Sequence, residues 1–262
     1  MVQSGSLNSY LHPSLVVILI SADAEWSVVR KFYSDARIDL SPFGEWFQVP
    51  INLETVIPSS INKVTPSQIP VIFFQGGWGK ITAAASTQYI IDTWKPELLV
   101  NFGTCGGFLG QVDRFDIFMV DETVVYDIFE QMGDPMVHIA HYSTKIDLSW
   151  FRPVAPPPYP LRRSLLISGD RDLIPGDIPD LIQRYGASAG DWESGAIAYT
   201  AKINKQRLLI IRGVTDLVGN EDGEAYQDNS IFPQNTEIVM DILLKQLMNW
   251  VLVGFANSCQ LP

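Results

Sequence analysis

Apolar residues in this chain cluster in short unbroken runs: Leu15–Ile20 (LVVILI), Ile69–Phe74 (IPVIFF), Glu97–Phe102 (ELLVNF), Asp116–Val120 (DIFMV) and Arg207–Arg212 (RLLIIR). Runs this short, rich in Val, Ile and Leu and bounded by Gly or polar residues, predict strands buried on both faces. Longer segments between them predict helices. Lys80–Trp94 (KITAAASTQYIIDTW) stops before Pro96, where a helix should stop, and Glu193–Ile203 and Thr236–Gly254 are two more. Strands alternating with helices imply an α/β domain of three layers, with helices on both faces of the sheet. Trp150–Pro160 (WFRPVAPPPYP) contains five prolines and predicts a connector without regular structure.

No change of composition divides the chain, so residues 15–257 are expected to form one domain behind a polar, flexible N-terminal segment, residues 1–14. Leu15–Ile20 is too short for a membrane span or a secretory signal core, and Leu247–Ala256, interrupted by Asn249, predicts the end of a buried helix. The 262 residues carry 18 Lys+Arg against 29 Asp+Glu, a net charge of −11. That balance argues against nucleic acid and anionic membranes as partners. Two cysteines, Cys105 and Cys259, exclude a disulfide framework and fit a reducing, cytoplasmic setting. With three histidines and no close Cys/His cluster, no metal site is expected.

In α/β sheets ligands sit beyond the carboxyl ends of strands, so the residues after each run are the candidates. LVVILI is followed by SADAEW, which places Glu25 near the first turn of a helix. IPVIFF is followed by QGGWGK, ELLVNF by GTCGGF with the Thr104 hydroxyl, and RLLII by RGVTD, with Arg212 and Asp216 four residues apart. GDWES sets Asp191 and Glu193 at a helix start. Neither Gly-rich stretch matches a dinucleotide or P-loop fingerprint. Taken singly, Glu25 and Glu193 read first as caps on a helix dipole, and Arg212 with Asp216 could equally be a local ion pair. Cys105, with no histidine at the other strand ends, is favoured as a packed thiol rather than a nucleophile.

Taken together, Gly76–Phe108 (GGWGKITAAASTQYIIDTWKPELLVNFGTCGGF), SGD at Ser168–Asp170, DWESGAIA at Asp191–Ala198 and IRGVTD at Ile211–Asp216 resemble the nucleoside phosphorylase and nucleosidase superfamily, in its order and spacing. Within it the chain is most similar to the 5′-methylthioadenosine/S-adenosylhomocysteine nucleosidases. The resemblance implies a nucleoside phosphorylase-like α/β/α sandwich with a central mixed sheet. It also implies hydrolysis of the N-glycosidic bond of a 5′-substituted adenosine to release adenine, without metal or organic cofactor. It makes Asp216 the acid that protonates purine N7, Glu25 the base for the attacking water, and Glu193 the ligand of the ribose hydroxyls. Arg212 becomes a cation near the water or phosphate position. Thr104 borders water and ribose, and Gly106, beside Cys105, lines the base pocket.

The chemistry suits those roles. Breaking an N-glycosidic bond leaves an oxocarbenium-like sugar, which carboxylates stabilise, and a purine that departs readily only when protonated. An acid at N7 must keep its proton near neutrality, which burial or neighbouring negative charge provides. SADAEW carries no Arg before Arg30 where phosphorylases of this fold grip phosphate, so hydrolysis is preferred over a phosphorylase reaction; a non-catalytic nucleoside-binding relative is the other alternative. Two departures bear on substrate choice. Trp192 replaces the usual Met before the ribose-binding acid, and Asp172 or Leu173 stands where an aromatic residue commonly faces the base. Trp78 is expected to be packing, and Tyr126–Met136 is available to reach a second copy, since family members assemble as dimers or larger homo-oligomers.

Overall fold

A computed structural model describes residues 15–53, 68–219 and 221–259; the expected flexible segment, residues 1–14, lies outside them. The strands are β1 (Val16–Ile20), β2 (Asp39–Leu40), β3 (Glu45–Asn52), β4 (Gln68–Gln75) and β5 (Leu98–Phe108), then β6 (Ile117–Val125), β7 (Thr144–Lys145), β8 (Leu161–Ser168), β9 (Ala189–Asp191) and β10 (Leu208–Val218). The helices are α1 (Asp23–Phe32), α2 (Lys80–Trp94), α3 (Pro135–Tyr142), α4 (Ile178–Tyr185), α5 (Ser194–Ile203), α6 (Glu224–Gln227), α7 (Ile231–Asp241) and α8 (Met248–Ser258).

All five residues of β1 are buried because both faces of the strand are covered. One face packs against α1, α7 and α8 through residues such as Trp26, Val239 and Phe255, and the other against α2 and α5 through Ala83, Ile90 and Ile197. This is the expected three-layer α/β/α arrangement. The sheet is mixed: β5, β1 and β4 run parallel, while β3 returns antiparallel on β4. On its other side β5 pairs with β10 in parallel and with β9 antiparallel, and β10, β6, β8 and β9 complete a closed ring. The closed ring draws the carboxyl ends of β5, β8, β9 and β10 around one space.

Three boundaries differ from the sequence expectation. GTCGGF and RGVTD are not turns after strands but the last halves of β5 and β10, which pair from Leu99↔Leu208 to Phe108↔Val218. Their glycines and polar residues hide the strand signal, yet the ladder satisfies the backbone. Thr236–Gly254 is not one regular α-helix: a π-helical turn, Ile242–Leu247, joins α7 to α8. The helical stretch Ile231–Ser258 has the length and mean hydropathy, 1.5, of a membrane span, but 72% of that window is buried inside the protein. Its apolarity is explained by core packing, as expected for Leu247–Ala256. Finally, α5 begins at Ser194, which leaves Glu193 as its cap residue.

Candidate active site

A cavity of about 510 Å³ opens at the carboxyl ends of the strands. Its walls carry Glu25, Asp172, Asp191, Glu193 and Asp216 but a single cation among the described residues, Arg171, which is ion-paired to Asp177 at 3.0 Å. Nine of the ten residues named as site candidates from the sequence line it, including Thr104, Cys105, Gly106, Trp192 and Leu173. Arg212 does not.

Glu25 sits in the first turn of α1, where its Oε2 accepts the Ala22 N–H at 3.1 Å. Its Oε1 accepts from Thr104 N at 2.6 Å and Thr104 Oγ1 at 2.8 Å. One side chain thus serves two contacts: one oxygen closes the helix, and the other is held on β5 at the cavity wall. Glu193, at the cap of α5, accepts the Gly79 N–H on Oε1 at 3.0 Å. Gly79 adopts φ 83, a left-handed conformation that glycine enters without penalty, and this turns its amide toward Glu193. Burial, and next Asp191, push the Glu193 carboxyl up to about 8 against the pull of Arg212.

Asp216 lies at the end of the cavity beside Gly106 and Leu173. Thr215 Oγ1 donates to its Oδ1 at 2.7 Å, while Oδ2 faces Gly106 beside Leu173. Its pKa is raised, by burial first and then by Glu224 and Asp172, against the Thr215 hydroxyl. A carboxylic acid in such surroundings holds its proton longer than a solvated one. Tyr226 closes this end, donating its hydroxyl to the Leu173 carbonyl at 2.9 Å.

Arg212 is fully buried behind the wall. Its Nε donates to Asp191 Oδ2 at 2.9 Å and its Nη2 to Asn101 Oδ1 at 2.7 Å, with Glu193 at 3.9 Å. The local Arg212–Asp216 ion pair that the spacing allowed does not form. A β-bulge between Val214 and Asp216 shifts the strand alternation by one, so Asp216 is turned away from the face that carries Arg212. Gly103 is needed beside it, because a Cβ there would lie 1.9 Å from Arg212 Nη1. Asp191 also accepts from Ser168 Oγ at 2.6 Å and from Ser194. The sequence reading singled out Asp191 and the SGD motif that contains Ser168, but not the buried network that joins them to Asn101, Ser194 and Arg212. Its one signal was polar residues interrupting apolar runs, as Asn101 does in LLVNF.

Trp78 is not packed: it is 60% exposed and its ring faces Trp192 at 5.5 Å across the cavity mouth, because the glycine turn carries it out of the core. The lid residues Tyr226, Asn229 and Phe232 were missed, since segment 221–232 shows no regular hydrophobic period. Cys105 is buried, and burial with nearby Asp191 raises its thiol well above the ordinary value, so it is a packed thiol and not a thiolate.

A ring-closed mixed sheet with an acid-lined cavity at its strand ends defines a nucleoside phosphorylase-like fold. Residues 58–247 match the family described as the Phosphorylase superfamily, and the chain belongs to it. It is 28% identical over 228 residues to the 5′-methylthioadenosine nucleosidase of Arabidopsis thaliana, covering 86% of this chain and 82% of that one. It is 26% identical over 188 residues to the 5′-methylthioadenosine/S-adenosylhomocysteine nucleosidase of Tolumonas auensis, covering 68% and 82%. The fold is that of the Streptococcus pyogenes S-adenosylhomocysteine nucleosidase solved with 5-methylthiotubericidin, at TM-score 0.68 and 16% identity over 92% of this chain and 97% of that one. The Neisseria meningitidis 5′-methylthioadenosine/S-adenosylhomocysteine nucleosidase solved with methylthio-immucillin-A gives TM-score 0.65 and 15% identity over 94% and 99%.

Proposed function

We propose that the protein is an N-glycosidase that hydrolyses a 5′-substituted adenosine such as 5′-methylthioadenosine and releases adenine. The observation that carries this reading is the make-up of the cavity lining: five carboxylic acids, two of them with raised pKa, and one already paired cation among the described lining residues. An oxocarbenium-like sugar is stabilised there, whereas a phosphate dianion is repelled and finds no free cation to hold it. Arg212 does not line the cavity: it is fully buried and held by Asp191 and Asn101.

In the proposed mechanism Asp216, its pKa raised by burial, gives its proton to purine N7. Glu25, fixed by Thr104 and Ala22, orients and deprotonates the water that attacks the anomeric carbon. Glu193 binds the ribose hydroxyls, with Trp192 beneath the sugar. Gly106 and Leu173 receive the base, Asp172 adds negative charge near Asp216, and Arg212 compensates the buried acids from behind. The names of the relatives, which are nucleosidases, support the same reading. A homodimer is part of the proposal: Phe129 and Met132 on Tyr126–Met136 are 83% and 95% exposed, and apolar side chains so exposed favour a partner surface. The test is chromatography of 5′-methylthioadenosine incubated with the protein in phosphate-free buffer. Free adenine is the expected product, and turnover only on adding phosphate, with a sugar 1-phosphate formed, refutes hydrolysis.

A further inference from the structure

At the other end of β10, roughly 25 Å from Asp216 at about 3.3 Å per strand residue, lies a second cavity of about 320 Å³. We propose that it binds a phosphate-bearing anion, independently of the reaction above. Lys145 from β7, Lys202 in the last turn of α5, Lys205 in the turn just after it, and Arg207 just before β10 all line it, together with Trp150. All four cations are exposed, and none has a carboxylate partner among the described residues. Nine other Lys and Arg side chains among the described residues are ion-paired, and a chain of net charge −11 here gathers four unpaired cations around one hollow.

The dipole of α5 explains two of these cations, since its carbonyl end favours Lys202 and Lys205. It does not explain Lys145 and Arg207, which come from other elements and converge on the same hollow. The one acid in the lining, Asp147, is engaged by its own turn, accepting the Ser149 N–H at 2.8 Å. Glu122 stands opposite Lys145 in the β6–β7 register but makes no ion pair with it. The guanidinium of Arg207 lies over the Trp150 ring at 5.7 Å, which positions the charge at the rim. Ammonium and guanidinium groups around a concave floor of Trp150, Ala198 and Ala201 match a phosphate attached to an apolar or ring-bearing body, or an inorganic phosphate alone.

The test is calorimetric titration of the full chain at low salt with three probes: pyrophosphate, ribose 5-phosphate and adenosine 5′-monophosphate. At least one is expected to bind one per chain, and the Kd should rise about tenfold or more in K202E/K205E because two attractive charges become repulsive. K145Q/R207Q, checked for unchanged Tm, should weaken the same probe, while release of adenine from 5′-methylthioadenosine stays as in the wild type. Tightest binding of pyrophosphate identifies a free inorganic ligand, and tightest binding of the nucleotide an organic one; both uphold the site. No binding by any probe overturns it. So does binding that survives both double variants, as it would for phosphate entering the acid-lined cavity.

Discussion

Substituting Asp216 by Asn separates chemistry from structure at the proposed general acid. Asn keeps the volume and still accepts the Thr215 Oγ1 hydrogen bond that the wild type makes at 2.7 Å. It cannot deliver a proton. Losing a positioned acid costs about 10²–10⁴ in kcat, or about 3–5 kcal/mol of transition-state stabilisation. Stability should barely change. Arg212 is held by Asp191 and Asn101 rather than by Asp216, so no buried charge loses its partner. At most one hydrogen bond is altered, about 0.5–1.5 kcal/mol, which corresponds to a Tm shift of only a few degrees in a chain this long. The assay is kcat and KM for 5′-methylthioadenosine, with Tm on the same preparation. A second readout is the pH profile. Because Asp216 acts in its protonated form and its pKa is raised, wild-type kcat/KM should fall as pH climbs through that raised value. D216N should lose this limb. A variant within tenfold of wild-type kcat would falsify the assignment.

Glu193→Gln should be more stable than the wild type at high pH. The folded-state carboxyl titrates at about 8 against an ordinary 4.5, so the folded protein binds the extra proton, and the associated stability is lost as pH rises through that window. The Tm advantage of E193Q should therefore grow from pH 5 to 8 and then level off; a gap independent of pH contradicts the raised pKa. Arg212→Met removes the cation from a fully buried pair and leaves Asp191 uncompensated, which should cost about 3–5 kcal/mol in urea denaturation. A loss under about 1 kcal/mol rejects the network as a structural support. Gly106→Ala places a methyl 3.0 Å from Leu173 Cδ1 and 3.8 Å from Asp216 Oδ2, so it should raise KM severalfold with Tm nearly unchanged. An unaltered KM removes Gly106 from the base pocket.

Much of this protein was determined by its sequence alone. The apolar runs mark β1, β4 and the first halves of β5 and β10, because strands covered on both faces admit few polar residues. Lys80–Trp94 is a helix with the bounds that its pattern and Pro96 predict. The acids at strand ends were legible for a related reason: Glu25 and Asp216 follow apolar runs, where an α/β sheet leaves its ligand space. The tertiary structure decided the rest. Short strands such as β9, at Ala189–Asp191, exist only because β5 and β8 pair with them, and three residues carry no period of their own. The ring closure that gathers Thr104, Asp191 and Asp216 depends on pairings between segments a hundred residues apart. Whether Arg212 meets Asp216 or Asp191 turned on one bulged residue in β10, which moves a side chain to the opposite face without any trace in spacing. The protonation of Glu193 was likewise beyond the sequence, because it depends on how far folding removes water and which charges it brings near.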